Sequence, residues 1–137
     1  KVILSCGEPM EKREAGKAVD HVLRQLKAWL PDNVPEAGER LTVAYEPIWA
    51  IGSGEAASIE DIVAMHTAIR EFLVKTFGEE DGAAIRIIYG GSVNPENAAE
   101  IIAGDEVNGA LVGGASLSAE SFMNIVLAAQ DVVASQS

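Results

Sequence analysis

Leu41-Thr-Val-Ala-Tyr-Glu-Pro-Ile-Trp-Ala-Ile-Gly-Ser-Gly54 reads as a strand that delivers a lone carboxylate into a hinged loop. Leu41–Tyr45 is apolar on both faces, the pattern of a strand covered above and below in a parallel sheet. Glu46 follows at the strand's carboxyl end, where open and closed α/β folds keep their chemistry. Pro47 has no N–H with which to extend the pairing, and Gly52 and Gly54 supply backbone freedom, so the intervening loop is free to swing about two short hinges. Trp49 and Ile51 are large apolar side chains in that loop and are expected to pack over something or move onto it. A base beneath a lid is the reading to test; the plainer alternative for a lone Glu is a solvated loop acid.

The same pattern recurs on both sides. Val2–Ser5 reads as a strand leading through Gly7-Glu8 into a helix from about Ala15 to Leu30, with Val19, Val22, Leu23, Leu26 and Leu30 at helical spacing and Pro31 and Pro35 ending it. After the loop, Ser58 with an acid three residues on predicts an N-cap, and Ile62, Met65, Ile69, Phe72 and Leu73 predict the apolar face of a helix that stops at Gly78. Ile85–Tyr89 predicts a third strand, turning through Gly90-Gly91-Ser92 to Asn94-Pro95, a cap and first-turn proline for a helix to about Ala103. Gly109–Val112 predicts a fourth strand, followed by Gly113-Gly114 and a helix capped by Ser118 and running to about Ala134. Four consecutive βα units predict an α/β fold with a parallel sheet and right-handed crossovers, either open or part of a barrel. Residues 1–137 contain no linker or low-complexity segment, so they read as one domain or one piece of one.

Composition narrows the function. Of 137 residues, 48% are hydrophobic and 23% charged, which supports a real core. There is no stretch of 18 apolar residues and no signal-peptide pattern, so the expectation is a cytoplasmic protein. Twenty-one acidic against ten basic residues give a net charge of −11, which repels nucleic acid and anionic lipid. Cys6, the single cysteine, reads as a buried structural thiol.

Glycines close three of the four strand ends: Gly52 and Gly54, Gly90-Gly91, and Gly113-Gly114. Such turns let backbone N–H groups converge beside helix N-termini, an arrangement that holds a phosphate. With no Lys or Arg in these turns, any phosphate would be bound by oriented amides. Taken singly, each glycine pair also reads as a tight βα turn.

Together, Ala44–Gly54, Ile88-Tyr-Gly-Gly-Ser-Val93 and Gly109-Ala-Leu-Val-Gly-Gly-Ala-Ser-Leu117 resemble the sixth, seventh and eighth βα loops of the triosephosphate isomerase family, in order. Gly7-Glu8 with Arg13-Glu-Ala-Gly16 resembles the fifth. The resemblance covers nearly the whole chain but only the C-terminal half of that fold, so it implies four βα units forming the second half of a TIM (β/α)₈ barrel.

The implied activity interconverts dihydroxyacetone phosphate and D-glyceraldehyde 3-phosphate, with no cofactor and no metal. By this resemblance Glu46 is the base and Pro47 to about Ala57 the lid. Gly52, Ser92, Gly113 and Gly114 match the residues that grip the phosphate. Leu111 matches the apolar residue pressed on the base, Tyr89 and Ser92 match partners of the closed lid, and Glu8 matches the acid beside the lid's Trp49; Gly54 belongs to the second hinge.

The family also uses a lysine and an asparagine from its first strand and a histidine from its fourth. His21 and His66 stand on helix faces instead, each expected to be a surface or packing residue, and the chain starts at Lys1 just before a strand, without an initiator Met. The expectation is that the N-terminal half of the same barrel is a required partner, that the complete protein is a homodimer, and that the 137 residues alone are inactive. Three other readings stay open: a two-carboxylate, glycosidase-like site using Glu8 and Glu46; a non-catalytic half-barrel module that pairs through its open edges; and a related isomerase of four-carbon sugar phosphates.

Overall fold

A computed structural model describes residues 1–51, 53 and 55–136. Three parallel strands, β1 (Val2–Cys6), β2 (Leu41–Tyr45) and β3 (Arg86–Tyr89), lie in the order β1-β2-β3. Val2 pairs with Leu41 and Cys6 with Tyr45 at the two ends of one ladder, and Tyr45 pairs with Tyr89 at the top of the other. All three strands therefore deliver their carboxyl ends to the same side.

Position in the sheet sets burial. The central β2 has a partner on each side, and Leu41, Val43, Ala44 and Tyr45 are all buried; on β1, with one partner, Val2 and Ile3 remain 60% and 56% exposed. The expected fourth strand, Gly109–Val112, is reduced to an isolated parallel bridge between Tyr89 and Ala110. A strand needs a continuing ladder, and this segment meets β3 only at its end, where Asn108 N–H donates to the Ile87 carbonyl, Tyr89 N–H to the Gly109 carbonyl and Leu111 N–H to the Tyr89 carbonyl.

The helices follow the apolar periodicity, with corrections at their starts. The first was expected from about Ala15 and starts at Ala18 as α2 (Ala18–Trp29); an unanticipated short α1 (Met10–Glu14) precedes it, and Gly16 at φ +71° separates the two. Val22 and Leu26 of α2 are fully buried. After α2, the short α3 (Ala37–Arg40) leads straight into β2.

The long α4 (Ile59–Phe77) begins as predicted, with the Ser58 hydroxyl accepting the Asp61 N–H at 3.1 Å. It ends at Gly78, beyond which an unanticipated short α5 (Glu79–Ala84) precedes β3. Asn94 caps a turn by accepting the N–H groups of Glu96 and Asn97 at 3.0 and 2.9 Å, yet regular helix α6 runs only from Ala98 to Ile102. The chain then crosses a 3₁₀ turn (Gly114–Leu117) into α7 (Ala119–Gln136), whose Ser121 N–H reaches the Ser118 hydroxyl at 3.3 Å.

The core lies between the sheet and the inner faces of α2 and α4, where Ile62, Met65, Ile69 and Leu73 of α4 join Val22 and Leu26 of α2. Arg70 ties the later units together. Its guanidinium donates to the carbonyls of Gly82 and Ile85 at 2.7 and 2.6 Å, to Asn108 Oδ1 at 2.8 Å and to Glu106 at 2.8 Å. It thereby satisfies carbonyls at the C-terminal end of α5 that have no helical partner.

Candidate active site

An open cavity of about 580 Å³ lies at the carboxyl ends of the strands, lined by Glu46, Ile51, residues 90–94 and residues 111–115. Among the described lining residues, Glu46 alone carries a charge. A parallel sheet concentrates its loops at this end, so residues far apart in sequence meet here.

Glu46 is held by its backbone and by the space its neighbours leave. Its N–H donates to the Cys6 carbonyl at 2.7 Å, and Gly90 N–H donates to the Tyr45 carbonyl at 2.8 Å, so both flanking chains fix the end of β2. A Cβ on Gly7 would overlap the Glu46 carbonyl, and one on Gly90 would stand 2.5 Å from Glu46 Cγ. Glycine at these two positions is a steric condition for the carboxylate to sit where it does.

Behind Glu46 is a buried polar cluster. Glu8, 1% exposed, accepts from the Tyr45 hydroxyl at 2.6 Å and from the Trp49 indole N–H at 2.9 Å, both on Oε1. Burial, with the Glu8 hydrogen bond next, drives the Tyr45 phenol far above its usual range, so it stays a proton donor to Glu8. Burial also pushes the Cys6 thiol up to about 12, leaving it protonated, as a structural thiol would be.

His66, fully buried on α4, packs edge-on to the Tyr45 ring at 5.8 Å and shares its Nδ1 hydrogen with the Glu106 carbonyl at 2.9 Å. It is a packing histidine. His21 is half-buried on α2.

The loop after β2 is anchored at both ends. Trp49 is 8% exposed within a 3₁₀ turn (Ile48–Ala50), and the Ser92 hydroxyl donates to the Ala50 carbonyl at 3.1 Å. Farther along, the Ala57 backbone hydrogen-bonds with the Tyr89 phenol, opposing the burial that raises it to about 12. Within the loop, the Ser53 hydroxyl donates to the Trp49 carbonyl at 2.8 Å and accepts the Glu55 N–H at 3.2 Å, which stiffens it as a unit. Trp49 packs as expected of a large apolar residue; Ile51 is 50% exposed and borders the cavity mouth.

The residues singled out in the sequence thus fall into three groups. Glu46, Ser92, Leu111, Gly113 and Gly114 line one cavity, while Pro47, Trp49, Tyr89 and Glu8 are buried. Gly52 and Gly54 lie outside the described residues. Sequence reasoning missed the steric part played by Gly7 and Gly90, and it missed Arg13, whose guanidinium lies 4.0 Å over the Trp49 ring. Nothing in the sequence signals that last contact, because Arg13 and Trp49 meet only when β1 and β2 align.

Two carboxylates at strand ends had suggested a glycosidase-like pair. Glu8 does not suit that role: it is buried and committed to Tyr45 and Trp49, and it does not line the cavity.

Comparison with known proteins gives a consistent result. The chain is similar to triosephosphate isomerase of Caulobacter vibrioides, 54% identical over 126 residues, covering 92% of this chain and 49% of the relative. It is 51% identical over 124 residues to that of Thermus thermophilus, covering 90% and 50%. The crystal structure of triosephosphate isomerase from Bartonella henselae superposes with a TM-score of 0.84 at 40% identity, over 93% of this chain and 50% of that one. The chain therefore spans about half the length of the curated relatives it matches. The family model for triosephosphate isomerase matches residues 1–129. With its fold, its strand-end loops and nearly its whole length accounted for in this way, the chain belongs to the triosephosphate isomerase family.

Proposed function

We propose that this chain supplies the base, the lid and the phosphate grip of a triosephosphate isomerase that interconverts dihydroxyacetone phosphate and D-glyceraldehyde 3-phosphate. The observation that carries the reading is the cavity: one carboxylate faces glycine-rich backbone turns across a space free of side-chain cations among its described residues.

In this reading the phosphate dianion sits against the backbone at Ser92, Gly113 and Gly114, with Gly52 of the lid completing the grip. Backbone N–H groups suit that task in an acidic protein, because they attract the dianion without a lysine beside the base. Glu46 then removes a proton from the hydroxymethyl carbon. The electron pair of that C–H bond forms the enediol double bond as the carbonyl oxygen takes up charge and a proton. Returning that proton from Glu46 to the adjacent carbon, while the hydroxyl on the first carbon gives up its own proton and becomes the new carbonyl, completes the isomerisation with no net gain or loss. Leu111 borders the same space and limits water around the carboxylate, and closure of residues 47–57 over the cavity excludes the rest. Trp49, Tyr89, Ser92 and Glu8 hold the lid; Pro47 and Gly54 serve its hinges.

The proposal includes an N-terminal half of the same barrel, which brings the lysine, asparagine and histidine that the family resemblance implies. Support comes from the flanks: exposed Val2 and Ile3 on β1, the one-sided segment at Ala110, and exposed Phe122, Met123, Val126 and Leu127 on α7. Residues 1–137 then form a partial domain, inactive without that half, within a cytoplasmic homodimer that needs no cofactor.

The test is Glu46→Gln in the completed barrel, assayed with triose and tetrose phosphates. The expected result is loss of at least ~10³-fold in kcat on the triose, in line with removal of a positioned base, with phosphate binding retained. Turnover near that of the parent would overturn the assignment of the base, and a preference for the tetrose would redirect the substrate.

A further inference from the structure

We propose that Arg13 is a positioning residue for the lid, a clamp that holds Trp49 in its buried place through the face of the indole. The inference rests on the reading of residues 47–57 as a lid. Three contacts carry it. The Trp49 indole donates in its plane to Glu8, and the Arg13 guanidinium covers the ring face at 4.0 Å. The same guanidinium meets Asp61 at 2.9 Å. Asp61 lies in the first turn of α4, just beyond the lid's far end, with its N–H capped by Ser58.

Arg13 therefore joins three pieces of chain: α1, which follows β1; Trp49, at the start of the lid; and α4, onto which the lid returns. Planar guanidinium suits this arrangement, because it can stack on an aromatic face and still point an N–H edge at a carboxylate. If Trp49 leaves its place, its ring slides from beneath the cation and the stacking is lost. A cation over an aromatic ring at a partly exposed site is worth about a two- to fivefold shift in such an equilibrium. Glu8 specifies where the indole N–H points, and Arg13 weights how much of the time it stays there.

The experiment reads Trp49 directly. Trp29, the other tryptophan, is half exposed on α2 and away from the cavity, so Trp29→Phe leaves Trp49 as the sole tryptophan, read by excitation at the red edge where Tyr45 and Tyr89 do not absorb. In that background, acrylamide quenching is measured for the parent, Arg13→Met and Arg13→Lys, with circular dichroism as the check on folding. Arg13→Met is expected to raise the quenching constant, corresponding to an open-to-closed ratio about two- to fivefold higher. Arg13→Lys, which keeps a cation on the stem, is expected to return part of the difference.

Parental quenching in Arg13→Met overturns the proposal, and so does equal quenching in the Met and Lys variants. If Arg13→Met loses helix signal, Asp61→Asn decides: raised quenching supports the clamp and parental quenching refutes it. None of these measurements needs turnover. Absence of isomerase activity in the completed barrel would refute the proposed reaction and leave the quenching result to stand on its own.

Discussion

Glu46 and the Gly113-Gly114 turn face the same cavity from walls of opposite construction. The carboxylate wall is the interior of a sheet: β2 has a strand on each side, Gly7 and Gly90 leave only enough room for residue 46, and Glu8, Tyr45 and Trp49 fill the space behind. The glycine wall hangs from the edge of the sheet, by the parallel bridge at Ala110 and the backbone hydrogen bonds that join Asn108, Gly109 and Leu111 to Ile87 and Tyr89. Gly113 and Gly114 are exposed, and a Cβ on either would meet no atom within 4 Å. A group whose chemistry depends on one atom's position is placed where packing fixes it from all sides. A cradle of backbone amides needs only its turn geometry, and its support falls to whatever lies beyond the bridge.

Substitutions at each wall break or sharpen this contrast. Gly7→Ala is expected to have the largest effect, because its Cβ would overlap the Glu46 backbone, which the ladder prevents from moving. A loss of more than ~3 kcal/mol in urea denaturation is expected, beyond ordinary overpacking of side chains. A loss below ~1 kcal/mol would show that the carboxylate wall yields more easily than its packing implies.

Arg70→Met comes next. It removes the donors to Gly82, Ile85 and Asn108 and leaves buried acceptors unpaired, for an expected loss of roughly 2–3 kcal/mol. Because Asn108 also accepts the Ile87 N–H, hydrogen exchange should rise first around β3 and residues 105–112. Uniform exchange across the chain would contradict the view of Arg70 as the tether of the glycine wall.

His66 links the two regions, packing on Tyr45 and bonding the carbonyl of Glu106, and it adds a pH dependence. Burial lowers its pKa from 6.5 to about 4. Between those values the unfolded chain binds the proton and the folded chain does not, so stability is full above about pH 6.5 and falls as pH drops toward 4. The slope contributed approaches ~1.4 kcal/mol per pH unit. Urea titrations of His66→Gln against the parent across this window check it: the variant should lack that part of the slope, and parallel curves would exclude His66 as its source.

The smallest effect belongs to the open wall. Gly114→Ala should change stability by less than ~0.5 kcal/mol, since its Cβ points into space. Joining the chain to an N-terminal half should then raise this cost if the glycine wall gains neighbours, and leave it unchanged if the wall stays bare.

Much of this was legible before any coordinates. Leu41–Tyr45 announced a doubly covered strand and is one, and Ser58 and Gly78 bound α4 as their chemistry demands. These are local properties: a cap acts within three residues and a periodic face within a few turns. Gly16 was readable as a glycine but not as a helix break, since composition alone does not say which glycine takes a positive φ. Gly109–Val112 had strand composition and failed to become one, because composition proposes a strand and only neighbours complete the ladder.

By itself, then, the sequence determined the alternation of strands and helices, the residue at the end of β2 and the glycine turns around it, since propensity, capping and periodicity act over a few residues. Tertiary structure alone decided that Glu8 also takes the Tyr45 hydroxyl, that Gly7 and Gly90 make room for Glu46, and that Arg13 covers the indole. Each of those contacts joins residues roughly 36 to 44 positions apart, and they meet because parallel pairing brings every strand's carboxyl end to one side of the sheet.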